Sequence, residues 1–182
     1  RCFPHRQAEA GRLTLAGMPS VRTYTNPVGA VPLRMGDPFA WHDGERYYLT
    51  GTTDPEEGFR YYHSPNLIDW TAGGWLWRRE AATWVDGRLW APEVCAYRGR
   101  FYLTYSGQLR GVTPMRMLMG LAVSDRPEGP YRDLHTPWFD PGYSTIDGHI
   151  FIDDDGTPWL YFSRNGRRDG YDYGTIYGVR LS

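Results

Sequence analysis

With 182 residues, 41% of them apolar, the chain can bury one sizeable core, and general disorder is excluded. A balance of 20 basic against 21 acidic residues and a formal net charge of −1 leaves no electrostatic footprint for nucleic acid or an anionic membrane. No apolar stretch approaches the ~20 residues that a bilayer span needs.

Residues 1–34 carry Pro4, Gly11, Gly17, Pro19, Pro27 and Gly29 without sustained periodicity, so they read as an irregular lead-in with no assigned function. The chain starts at Arg1, with no signal-peptide pattern, so it reads as processed or as a fragment, and either a secreted or a cytoplasmic location fits. From residue 35 onward one pattern occurs three times: GDPFAWHDGERYYLTGT, APEVCAYRGRFYLTYSG and DGHIFIDDDGTPWLYFSR. In each, a carboxylate opens an apolar strand, a glycine turn follows, and an aromatic residue begins the return strand. The carboxylates Asp37, Glu93 and Asp147 lie 56 and 54 residues apart, the turn glycines are Gly44, Gly99 and Gly156, and the aromatics are Tyr48, Tyr102 and Trp159. A repeat of that length, built from short strands and glycine turns, predicts an all-β propeller with one blade per repeat. Equivalent residues then lie at equivalent radii, so the three carboxylates should converge near one axis.

In chain order, the first repeat predicts strands over 38–42, 46–51 and 59–63, with PNLIDW leading to a short outer strand that Gly73 and Gly74 break. The second predicts strands over 93–97, 100–105 and 117–123, and an outer strand near Tyr131 after the corner at Pro127–Pro130. The third predicts 147–153, 159–163 and 175–181, with its outermost strand missing. Ser64, Ser124 and Ser182 would close equivalent strands. Cys95 is expected in a buried strand as a small apolar residue, and Met115, Met117 and Met119 read as packing. Asp153, Asp154 and Asp155 lack the alternating ligands of a calcium loop and predict a hairpin turn. Arg167 and Arg168 fall in a long connection and read as solvated.

At these motifs the sequence resembles the family 43 glycoside hydrolases. Their DPF opening matches Asp37, Pro38 and Phe39; their WAPE motif matches Trp90, Ala91, Pro92 and Glu93; and the aspartate ahead of a DDDG-like turn matches Asp147 through Gly156. The SDRPEGPY segment from Ser124 to Tyr131 resembles the family's corner of blade two. The resemblance implies a five-bladed β-propeller, of which residues 35–182 would supply roughly the first three blades. It also implies hydrolysis of arabinose- or xylose-containing polysaccharides and oligosaccharides with inversion, with no cofactor or metal assigned. By this resemblance Asp37 is the general base and Asp147 the carboxylate that orients the acid and raises its pKa. The spacing an inverting pair requires, ~6.5–9.5 Å for an attacking water, agrees with a base separate from the acid. Trp90, Glu93 and His149 are candidate substrate contacts: Trp90 opens the WAPE motif, Glu93 lines the wall, and strand alternation points His149 to the same side as Asp147.

The family's general acid is a glutamate opening the fourth blade, which this chain does not contain. Glu128 lies in an EGP string but at a blade corner, and reads as a turn residue. A non-catalytic carbohydrate-binding propeller is the alternative function. A retaining, fructan-cleaving relative fits less well, because GDPFA stands where that group carries an NDPNG-like start.

Overall fold

The computed structural model describes residues 32–80, 83–166 and 174–182. Apart from 32–34, the lead-in lies outside those residues, as do Arg167 and Arg168. The described chain is all-β. β1 (Gly36–His42), β2 (Tyr47–Thr52), β3 (Gly58–Ser64) and β4 (Thr71–Arg78) form one antiparallel sheet in sequence order. β5 (Trp90–Tyr97), β6 (Arg100–Gln108), β7 (Met117–Ser124) and β8 (Arg132–His135) form the second. β9 (Thr145–Ile152), β10 (Pro158–Arg164) and β11 (Thr175–Arg180) form a third of three strands. The first strands lie side by side, β1 against β5 and β5 against β9, so each sheet presents its opening strand to one shared side.

The repeat has a physical basis in the hairpins. Tyr48, Tyr102 and Trp159 pair with Trp41, Cys95 and Phe151, one equivalent position in each sheet. Gly44, Gly99 and Gly156 all adopt positive φ, the region a glycine enters without a Cβ penalty. The turns differ in length: Tyr97 pairs directly with Arg100, leaving only Arg98 and Gly99 between, both at positive φ as a type I′ turn demands. The Asp153–Asp155 run does form a turn, in which Asp153 donates its N–H to Thr157 and Gly156 donates to Asp153.

Four expectations are corrected. β4 runs straight through Gly73 and Gly74. Arg60 pairs with Trp75 and Tyr62 with Ala72, so the two glycines form a bulge facing Tyr61, and a Cβ on Gly73 would meet that ring at 2.3 Å. Gly73 admits an aromatic ring, and the pair does not end the strand. Ser64 and Ser124 close β3 and β7, each hydroxyl accepting the N–H two residues on. In the third sheet the equivalent place is taken by Leu181, which bonds back to Pro158, and Ser182 lies one residue beyond. Met117 and Met119 are fully buried, whereas Met115 stands outside the strand with 44% of its surface exposed. Cys95 is only half-buried, although burial still pushes its thiol pKa up.

The main core lies between the first two sheets. Phe59, Leu76 and Trp77 meet Val94, Leu103, Tyr105 and Ala122 there. One carboxylate joins the halves: Asp133 Oδ1 accepts from Trp77 Nε1 and from the Tyr105 hydroxyl, both at 2.8 Å. Asp133→Ala should therefore destabilise the fold by roughly 2–6 kcal/mol, since it strands two buried donors at ~1–3 kcal/mol each. Asp133→Asn keeps an oxygen in place and should cost less than ~1 kcal/mol, a contrast that urea unfolding of the two variants measures.

Candidate active site

Every opening strand begins with the same irregularity. In β1, Gly36 pairs with Thr52 and Phe39 with Thr50, so Asp37 and Pro38 together oppose Gly51. In β5, Trp90 pairs with Ser106 and Glu93 with Thr104, leaving Ala91 and Pro92 opposite Tyr105. In β9, Ile146 pairs with Ser163 and His149 with Tyr161, leaving Asp147 and Gly148 opposite Phe162. The first residue of each bulge has positive φ: 47° at Asp37, 44° at Ala91 and 57° at Asp147. Aspartate tolerates this left-handed region better than most residues, and a bulge re-aims the side chain it carries.

This register corrects the alignment of the three carboxylates. Asp37 and Asp147 occupy one structural position, but its occupant in the second sheet is Ala91. Glu93 lies two residues further along, level with Phe39 and His149. The bulge breaks strand alternation, so Glu93 takes the face of its partner Thr104 while Ala91 and Pro92 oppose Tyr105 on the other. The same break in β9 means that His149 does not share the side of Asp147 by alternation, as the sequence suggested; it instead meets Glu93 across the sheet boundary.

The charges of the other two carboxylates reach Asp147. The Asp147 carboxyl is pushed above its ordinary 3.8, first by partial desolvation, then by the negative charges of Asp37 and Glu93. Glu93 Oε2 lies 2.5 Å from His149 Nδ1, across the boundary between the second and third sheets. A carboxylate can only accept, which assigns the ring proton to Nδ1 and leaves Nε2 open to solvent or ligand. The Thr104 hydroxyl donates to the Gly148 carbonyl and ties β6 to the bulge of β9. Trp90 opens β5 half-buried, and among the described residues it stacks on no other ring. Glu128 sits in the corner after β7, 3.4 Å from Arg126, as a turn residue.

The raised Asp147 pKa has a signed consequence for stability. The folded chain holds the Asp147 proton more tightly than the unfolded chain, so this group favours folding in acid. That contribution is lost as pH rises from about 3.8 through the higher folded value. Asp147→Asn should therefore gain stability relative to the parent as pH rises from acid to neutral, and thermal melts across that range would show the difference widening.

Sequence reasoning missed the hydroxyls that hold the bulges, Thr52 and Ser106. Their signal was present: a hydroxyl residue stands four positions after the strand-opening aromatic in every repeat, at Thr52, Ser106 and Ser163. Among the described residues no group of three or more His, Cys, Asp or Glu side chains could hold a metal ion, and no helix is long and apolar enough to cross a membrane.

Comparison with known proteins agrees with this architecture. The family model described as Glycosyl hydrolases family 43 matches residues 24–182. Xylosidase/arabinosidase 43A of Humicola insolens is 37% identical over 95 residues, which are 50% of this chain and 27% of that protein. The extracellular exo-α-(1→5)-L-arabinofuranosidase ArbA of Cellvibrio japonicus is 27% identical over 152 residues, 74% of this chain and 42% of that protein. Among solved structures, a thermostable family-43 glycoside hydrolase superposes with a TM-score of 0.79 at 38% identity, covering 88% of this chain and 52% of its own. An endo-arabinase of Bacteroides thetaiotaomicron gives 0.71 at 32% identity, covering 82% and 51%. The chain thus spans about half the length of these structures, and less of the curated relatives, corresponding roughly to their N-terminal portion.

Proposed function

The chain belongs to family 43 of the glycosyl hydrolases, and on that premise we propose that it forms the first three blades of a five-bladed inverting glycosidase. Its substrates are arabinose- or xylose-containing polysaccharides and oligosaccharides, the substrate class suggested by the names of its relatives. Residues 35–182 form the catalytic part, with 1–34 as a lead-in. The observation that carries this reading is that Asp37 and Asp147 occupy the same bulge position in the first and third sheets, and that the Asp37 charge helps hold the Asp147 carboxyl above its ordinary range.

In this reading Asp37, ionised, takes a proton from a water molecule whose oxygen attacks the anomeric carbon. The glycosidic C–O bond breaks, and a glutamate outside these 182 residues protonates the leaving oxygen. Asp147 sits beside that acid and keeps it protonated through like-charge repulsion. Glu93, His149 and Trp90 contact the sugar, with His149 Nε2 and the Trp90 face available to hydroxyls and C–H groups.

The test is an assay of arabinan, xylan and aryl glycosides with the complete encoded polypeptide beside the 182-residue chain. Turnover by the former alone, with the first-formed product of inverted anomeric configuration by proton NMR, is the expected result. Retention of configuration, or full turnover by the 182 residues, would defeat the proposal. Sugar binding without any turnover by the complete polypeptide would establish the non-catalytic alternative instead.

A further inference from the structure

The bulges are fastened from sheet to sheet. The Thr52 hydroxyl, at the end of β2, accepts the Ala91 N–H of the next sheet at 3.0 Å and lies 2.8 Å from Asp37 Oδ2. An amide can only donate, so the single hydroxyl proton of Thr52 must point to the Asp37 carboxylate. The Ser106 hydroxyl, at the equivalent place in β6, is fully buried and accepts the Asp147 N–H at 3.0 Å. Ala91 and Asp147 are the same structural position, so the bond recurs from sheet to sheet: each second strand fastens the left-handed residue that opens the next blade. Ser163 in β10 pairs with Ile146 as Thr52 pairs with Gly36 and Ser106 with Trp90.

We propose that Thr52 and Ser106 are positioning residues that fasten the bulges of neighbouring blades, and that Thr52, by occupying Asp37 Oδ2, leaves Oδ1 as the atom that takes the proton from water. The second part rests on the reading of Asp37 as general base; the first does not. A left-handed conformation at alanine is disfavoured without an external restraint, and the Thr52 bond supplies one at Ala91. A carboxylate with one oxygen engaged by a donor cannot rotate freely, so the remaining oxygen faces a fixed direction.

Thr52→Val keeps the shape and removes both bonds. In the complete encoded polypeptide it should lower kcat about tenfold, with KM within about twofold of the parent, the signature of a loss confined to the transition state. Thr52→Ser should restore kcat to within about threefold, which a merely structural threonine would have no reason to do. In the same labelled protein the Ala91 amide should lose its downfield proton shift and exchange faster in the Val variant and not in the Ser variant, and Ser106→Ala should do the same to the Asp147 amide. A Thr52→Val enzyme within about twofold of the parent kcat would overturn the role assigned to Thr52, and unmoved Ala91 and Asp147 amides would overturn the fastening itself. If the parent turns over no glycoside, the functional reading falls and the amide spectra alone decide the fastening. Should the Val variant fail to fold, Thr52→Ala against Thr52→Ser carries the same comparison.

Discussion

Asp37→Asn is expected to lower kcat of the complete enzyme by about 10²–10⁴-fold, the range for removal of a general base, with little change in KM. The substitution preserves volume, and an amide oxygen still accepts the Thr52 hydroxyl, so the bulge at the start of β1 keeps its geometry. Only the charge that draws a proton from water is lost. A second readout is independent of turnover. Of the three influences raising the Asp147 pKa, burial is the largest and the Asp37 charge the next, ahead of Glu93. Removing the Asp37 charge should therefore move the Asp147 carboxyl titration to lower pH, as followed by carboxyl carbon NMR of the 182-residue chain. If Asp147 titrates unchanged in that variant, the two side chains do not face each other and the site as described is wrong. Full activity with a shifted Asp147 would instead leave the geometry standing and remove Asp37 from the chemistry.

Much of this arrangement was legible in the repeats, for a physical reason. Strand pairing has a period of two and hairpins need glycine at positive φ, so the aromatic and glycine positions align once the turns are recognised: Tyr48, Tyr102 and Trp159 fall in one register. The carboxylates were harder. Aligning Glu93 with the aspartates follows residue type, whereas the structure aligns bulges, and a bulge is a backbone conformation that alanine at 91 hides. Its sequence trace is the following residue, Pro38, Pro92 or Gly148, which stands opposite no single partner in the return strand. The outer strand β4 was misread for the opposite reason: Gly73 and Gly74 resemble a break until the Tyr61 ring that needs the bare Cα of Gly73 is known. Contacts between sheets, such as Thr52 with Ala91, have no local signature and become visible only when one blade is set against the next.

Tyr105→Ala should destabilise the chain by roughly 3–5 kcal/mol, the usual cost of emptying a buried aromatic site, and against a domain stability of ~5–15 kcal/mol this threatens the fold. Tyr105 is fully buried on β6. Its ring packs on Phe59 and Trp77 of the first sheet at centroid separations of 5.8 and 4.6 Å, and on Trp84 at 6.1 Å. Gly120, its cross-strand partner on β7, makes room for it, since a Cβ there would lie 2.4 Å from the ring. The hydroxyl donates to Asp133 and accepts from Trp84 Nε1 at 3.2 Å. Tyr105→Phe keeps the ring and should cost about 1–2 kcal/mol, since Asp133 retains the Trp77 donor while Trp84 Nε1 loses its acceptor. The two substitutions thus separate packing from hydrogen bonding, and because Tyr105 and Asp133 share one network their effects should fall short of additive in a double-mutant cycle. The functional consequence follows from position. Tyr105 faces the Ala91–Pro92 bulge across the sheet while binding the first sheet, so its loss loosens the register between Asp37 and Glu93 before the chain unfolds. A Tyr105→Ala chain within about 1 kcal/mol of the parent by urea unfolding would show that the two sheets are joined elsewhere.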